Sequence, residues 1–302
     1  MNYNKKQIRL YLLLTLGTCF LLGMAAFFTP NNRENAAYQI LQKGFIAFPV
    51  TAVILTRRIT KDKTKWRFSL KLWKNPILWA FCAFVPAILI AMGAVIYFLL
   101  FSEQYSGVFA FGNLVGTDSV IQIRNPFLFC VACVLIAAFC VPLQLLELGE
   151  EIGWREYLLP KQIAQHGLKK GILLNGFCWG LAHMPLIYFG FNYSSENIGA
   201  PWSNMAMMML VCMTIGTICS CVMVISSNVM YSAIIHGAVN IIGEIPVFIS
   251  VSHKSGLLGP NPTGIIGMSG LVLCAAIMFI RLDFLHAGSG KDAVRFDNST
   301  LF

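Results

Sequence analysis

Residues Phe139 to Pro160 read FCVPLQLLELGEEIGWREYLLP, a lipid-compatible run interrupted by Glu147, Glu150, Glu151 and Arg155. A charged side chain at the centre of a bilayer costs about 3 kcal/mol or more. Adjacent acids therefore persist there only where they face a protein interior or a water-filled cavity. At three- and four-residue spacing these four side chains share one face of a helix, and Glu151 and Arg155 form an i,i+4 pair in the favourable order. Arg155 is thus expected to hold Glu151 ionised, which leaves Glu150 free for proton chemistry. Taken alone, the segment also reads as a structural ion-pair network near the membrane interface.

The rest of the chain shares this solvent. Of its 302 residues 57% are hydrophobic and only 12% charged, and the mean hydropathy is +0.69, which places it with polytopic membrane proteins rather than soluble domains. The fold class expected is all-α, with about eight transmembrane helices of roughly 20 residues each. They fall at Leu10–Thr29, Tyr38–Thr56, Pro76–Phe101, Pro126–Leu148, Gly171–Phe191, Ser203–Ile225, Val229–Val251 and Thr263–Ile280. The first is read as an uncleaved anchor: Lys5, Lys6 and Arg9 resemble the basic start of a signal peptide, but the apolar stretch is longer than a signal peptide uses. Three regions follow along the chain. Residues 1–125 hold the N-terminal helices, a basic loop and an outer loop, 126–252 the motif-bearing core, and 253–302 the last helix and a polar tail. The outer loop 102–125 reads as a short hairpin or a partial lid and the tail from His286 as disordered.

Charge sets the expected orientation. All of the 22 lysines and arginines except Arg33, Lys43, Arg124 and Lys254 fall in the N-terminal tail, the loop Arg57–Lys74, the segment Arg155–Lys170 and the C-terminal tail. The positive-inside rule puts these four together, so both termini are expected in the cytoplasm of a bacterial plasma membrane. The formal charge of +9 then needs no nucleic-acid partner; the partners expected are the lipid bilayer and a membrane-associated peptide or protein substrate. The basic loop, RRITKDKTKWRFSLKLWK, is suited to anionic lipid. All ten cysteines lie in apolar segments and read as packing residues, Cys130 and Cys133 included.

Two further helices carry polar stripes. LLNGFCWGLAHMPLIYF sets Asn175, Trp179 and His183 four residues apart, with Pro185 beyond to bend or end the helix. SAIIHGAVNIIGEIP does the same with His236, Asn240 and Glu244 before Pro246. One such stripe is explained by hydrogen bonding between membrane helices. Three together offer what amide hydrolysis needs: a base for water, a donor for the oxyanion and a proton for the leaving nitrogen. Neither G-x-S-x-G nor HExxH occurs, so a serine nucleophile or a zincin is the weaker reading.

At these residues the chain resembles the CPBP family of intramembrane proteases, which includes type II CAAX prenyl proteases and the bacterial Abi and bacteriocin self-immunity proteins. The family's EExxxR is present as Glu150–Arg155 and its HxxxN as His236–Asn240, while FxxxH ends on His183 with Trp179 in place of the phenylalanine. The resemblance covers roughly 126–252. It implies an intramembrane endopeptidase in which Glu150 activates water with help from His183, His236 and Asn240 stabilise the oxyanion, and Glu151, Arg155 and Trp179 support them. The cofactor stays open. Glu150, His183 and His236 could hold a divalent metal such as zinc, but Asn240 is a poor zinc ligand and a natural oxyanion donor, so the metal-free glutamate route is preferred. The alternatives are a catalytically inactive membrane scaffold or immunity protein of the same fold and, more distantly, a proton-coupled transporter.

Overall fold

The computed structural model describes residues 3–29, 36–106, 110–111, 121–251 and 256–284. It is a helical bundle: α1 Tyr3–Phe28, α2 Ala36–Thr60, α3 Pro76–Leu100, α4 Pro126–Phe139, α5 Val141–Glu151, a π-helical segment Ile152–Leu158, α6 Leu159–His166, α7 Leu168–Tyr188, α8 Trp202–Ser226, α9 Val229–Ile242 and α10 Ser269–Ile280. The outer loop contains one short antiparallel ladder, β1 Ala110–Phe111 with β2 Ile121–Gln122, where a hairpin was expected. The polar tail beyond 284 lies outside the described residues.

Helix starts follow local chemistry. Asn75 and Asn125 each precede a proline at the first helical position, and each accepts a hydrogen bond at 3.0 Å from the amide three residues on, at Leu78 and Leu128. Proline loses nothing at that position because its missing N–H would have no helical partner, and the asparagine oxygen satisfies one of the amides left over. Asn228 also caps α9, accepting from the Met230 amide two residues on at 3.2 Å.

The same backbone accounting explains a departure from expectation. The single span Pro126–Leu148 is broken at Cys140, and the axes of 126–139 and 144–166 differ by 52°. Pro142 in the first turn of α5 cannot donate to the preceding turn. The carbonyls of Ala137 and Ala138 are instead met by the buried Gln144 side chain, at 3.0 Å each. Pro185, by contrast, neither ends nor replaces a turn: α7 runs three residues past it.

The exact count of eight spans is not confirmed. Among the described residues four helices are long and apolar enough to cross a bilayer alone, or five if the broken pair counts as one. α10, at 12 residues, is about 18 Å long against roughly 30 Å of hydrocarbon, because residues 256–268 form turns where the expected span had begun. The chain is nevertheless an all-helical integral membrane protein. α8 and α9 form the interior, while α1 and α3 are mostly turned outward and expose Leu13, Phe20, Ile88 and Leu99 to lipid.

Close approach brings α1 and α2 onto the motif segment. A Cβ at Gly153 would collide with the Tyr11 hydroxyl and with Pro49, and Tyr11 stacks on both Trp154 and Tyr157, with ring centroids 5.8 and 5.3 Å away. In the last turn of α2 Arg57 pairs with buried Glu156 at 3.1 Å, and just beyond the helix Asp62 pairs with Lys161 at 3.3 Å.

Two predictions follow from this packing. Gly153→Leu should lower folded yield and the thermal midpoint in detergent, whereas Gly17→Leu, a site with open space around it, should leave both unchanged. For Asp62, burial works to raise the carboxyl, but Lys161 and the bonds from Thr64 outweigh it and hold the group below the ordinary carboxylate value. A depressed folded pKa contributes stability above the unfolded value and loses it as pH falls through the folded one. The thermal midpoint should therefore drop more steeply on acidification in the wild type than in Asp62→Asn.

Candidate active site

The three polar stripes converge where α5, α7 and α9 meet. At the base lies a fully buried ion pair: Arg155 Nη1 donates to Glu151 Oε1 at 3.1 Å, and both side chains have 0% exposure. Attraction alone seldom repays the desolvation of such a pair, so its other contacts matter. The guanidinium carbon stands 4.2 Å from the Trp179 ring centroid, and Gly216 on α8 leaves it room, since a Cβ there would lie 3.2 Å from Nη2. The same Glu151 oxygen lies 2.9 Å from Nδ1 of His236. A carboxylate there favours the proton on Nδ1 and turns Nε2 to the cavity.

Glu150 points the other way. Its Oε2 accepts the indole N–H of Trp179 at 2.8 Å, which fixes the carboxylate without supplying a countercharge. Trp179 is the common wall: its ring packs edge-on against His183 and His236, with centroids 5.6 and 5.1 Å away, and its carbonyl is 3.0 Å from Nδ1 of His183. The cavity in front measures about 390 Å³ and is lined by Glu147, Glu150, Trp179, His183, His236 and Asn240, with Phe45 and Ile46 of α2 closing one side.

Residues 124–242, which carry all four expected catalytic residues, match the family described as type II CAAX prenyl endopeptidase Rce1-like. A CAAX prenyl protease 2 of Methanococcus maripaludis is 26% identical to this chain over 198 residues, covering 65% of this chain and 67% of that protein. The chain is thus similar to the CPBP/CAAX protease family. It is an intramembrane protease, with a membrane-associated peptide or protein as substrate.

Several details of this CAAX-protease-like site could not be read from spacing. Glu150, His183, His236 and Asn240 all reach the cavity, and Glu244 lines it beyond the end of α9. Glu151 and Arg155 lie beneath it, paired with each other. Asn175 does not share the cavity with its stripe partners. It is fully buried and donates to the Trp154 carbonyl at 2.8 Å and to Gln162 at 3.0 Å, tying α7 to the motif segment. No hydrogen bond joins Glu150 to His183 among the described residues; each instead bonds Trp179, Glu150 through the indole N–H and His183 through the backbone carbonyl.

Two residues outside the expected set also enter. Glu147 was placed on the right helix face but given no role; its Oε2 lies 3.5 Å from Nε2 of His236 and is buried without a hydrogen-bond partner. Cys212 of α8 lines the cavity with its sulfur 3.7 Å from Nδ1 of His183, a contact between segments that no spacing rule signals. The ten cysteines are all free thiols.

Glu147 also changes the candidate metal set. Ligand atoms of Glu147, Glu150 and His236 lie within 4.8 Å of one another, and a carboxylate behind the histidine is a common support for a metal ligand. His183, expected in that set, stands outside this cluster with Nδ1 turned to the carbonyl one turn back along its own helix. The donor chemistry of Glu147, Glu150 and His236 fits a divalent cation.

Arg155→Ala would strand Glu151 as an uncompensated buried charge at a cost of about 3–5 kcal/mol. Folded yield and thermal midpoint should fall sharply. Arg155→Lys should recover only part of the loss, since an ammonium keeps the charge but lacks the planar face that stacks on Trp179; circular-dichroism melts of the purified variants check both.

Proposed function

We propose that this CAAX-like protease cleaves its membrane-associated substrate with water activated by Glu150. The observation that carries this reading is the Glu150 carboxylate. It is buried in the cavity wall and anchored through one oxygen by a neutral donor, Trp179 Nε1. Glu150 accepts a proton from water as the oxygen attacks the scissile carbonyl carbon. The developing oxyanion is met by Asn240 and by the Nε2–H of a doubly protonated His236, whose ring lies between the Glu151 and Glu147 carboxylates. When the tetrahedral species collapses the C–N bond breaks, and Glu150 returns its proton to the leaving nitrogen. His183 borders the water position opposite Trp179 and assists its orientation. Were a divalent cation held by Glu147, Glu150 and His236, it would add Lewis-acid polarisation of the carbonyl or of the water.

A prenylated C-terminus is the substrate class that the family description and the name of the archaeal relative favour; peptide maturation or immunity is the second assignment, suited to a compact bacterial-like chain. The partition of basic residues supports an orientation with both termini and the Arg57–Lys74 loop in the cytoplasm. Residues 126–252 act as the catalytic region within this arrangement, with 1–125 and 253–302 flanking it.

Purified protein in detergent, incubated with quenched peptide substrates, tests the mechanism. Glu150→Gln should abolish turnover while the protein stays folded, since the isosteric amide cannot take the water's proton. Asn240→Ala should lower kcat by about 10²–10³ with little change in KM, the usual effect of one oxyanion donor. Full activity should survive exhaustive chelation. A Glu150→Gln variant cleaving at the wild-type rate would sink the assignment.

A further inference from the structure

The segment between α2 and α3, residues 61–74, lies outside the catalytic cavity yet is bonded to both of the elements that supply it. At one end Arg57 Nη1 donates to the Thr64 carbonyl at 2.6 Å while its other nitrogen bonds Glu156, and Asp62 pairs with Lys161. Those partners follow Glu150, Glu151 and Arg155 on the same stretch of chain, Glu156 immediately after Arg155 and Lys161 six residues beyond it. At the other end the Asn228 side chain closes a double hydrogen bond on the backbone of Ser69, at 3.0 and 2.9 Å. Val229 N donates to the Arg67 carbonyl at 3.0 Å and Tyr231 Oη to the Leu72 carbonyl at 3.1 Å. These three residues open α9, about two turns before His236. The segment is therefore a strap across the two chain elements whose relative position sets the Glu151–His236 contact.

Its outer surface has a definite chemistry. Lys61, Lys63, Lys65, Lys71 and Lys74 are all exposed, and the strap's acid, Asp62, is already paired. Between the lysines, Trp66, Phe68, Leu70 and Trp73 are 48%, 42%, 52% and 72% exposed. The strap leads directly into α3, a membrane-spanning helix beginning at Pro76, so this surface stands at the membrane–water boundary. Tryptophan favours that layer, and a cluster of lysines beside a transmembrane helix is complementary to anionic headgroups. Apolar side chains left in water on one strap would have no comparable partner.

We propose that the strap seats on the anionic headgroups of the surrounding leaflet, and that this contact holds the catalytic helices in their active register. The coupling to turnover rests on the protease reading above, whereas the headgroup contact does not. Full-length protein is reconstituted in phosphatidylcholine alone and in phosphatidylcholine mixed with phosphatidylglycerol. Lipid retained by the protein is counted by native mass spectrometry, and kcat is measured on a quenched peptide. The wild type should retain phosphatidylglycerol preferentially and turn over severalfold faster in its presence, with both effects eroded by salt. Because each lysine near such a surface is worth about fivefold in association, the K61Q/K63Q/K65Q/K71Q/K74Q variant should lose the preference and turn over alike in both lipids. If that variant does not fold, the milder K63Q/K65Q pair, both exposed, should show a partial loss of the same kind. Asn228→Ala should keep the lipid preference but lose the dependence of kcat on it. Equal retention of both lipids by the wild type overturns the headgroup contact. A lipid preference with unchanged kcat overturns the coupling. Absence of cleavage in any lipid overturns the protease reading and the coupling with it, while retention still decides the contact.

Discussion

The buried Glu151–Arg155 pair is the constraint around which the core is arranged. Two full charges with no solvent exposure are tolerable only where each is met from several sides, and three helices are committed to doing so. α7 supplies the Trp179 face under the guanidinium, α8 the gap at Gly216, and α9 the imidazole of His236. Moving any of these helices uncovers a charge, so the pair converts an electrostatic penalty into positional precision. The geometry of the cavity inherits that precision, because the Glu151 oxygen that Arg155 holds is the one that meets His236.

Trp179 extends the arrangement into the cavity. One side chain stacks on Arg155, donates to Glu150 and borders both histidines, while its backbone carbonyl holds His183. A phenylalanine at this position would provide the stacking wall without the N–H that fixes Glu150. The departure from the FxxxH pattern therefore adds a polar function to a packing position, and Glu150 is oriented here by a neutral donor rather than by a charged one.

Backbone irregularity concentrates in the same region. The break at Cys140, the π-helical turn from Ile152 to Leu158 and the proline at 160 all fall within one segment, where a regular helix would have carried the acids straight through the bilayer. A π-helical turn alters the side-chain register and is a common feature of functional sites. Here it sits between the acids and the strap, so Arg155 can face inward while Glu156 reaches Arg57 on α2.

The helical membrane class, the three polar stripes and the motif residues were legible in the chain, because period and hydropathy are local properties and the EExxxR and HxxxN spacings mark helix faces directly. The break in α5 was present as Pro142, yet an apolar run on either side hid it in a hydropathy reading. The shortness of α10 was hidden in the same way, since turns packed inside a membrane protein can be as apolar as a helix. Spacing also put Asn175 and His183 on one stripe and could not tell that the first would bond the Trp154 carbonyl while the second faced the cavity. What only the tertiary structure decided was which side chains meet across segments: Glu147 opposite His236, Cys212 beside His183, Trp179 between Glu150 and His183, and the strap backbone on Asn228. Sequence periodicity assigns a residue to a face of its own helix, but the rotation and separation of neighbouring helices determine what that face meets, and those are set by the collective packing of the buried charges, rings and glycines.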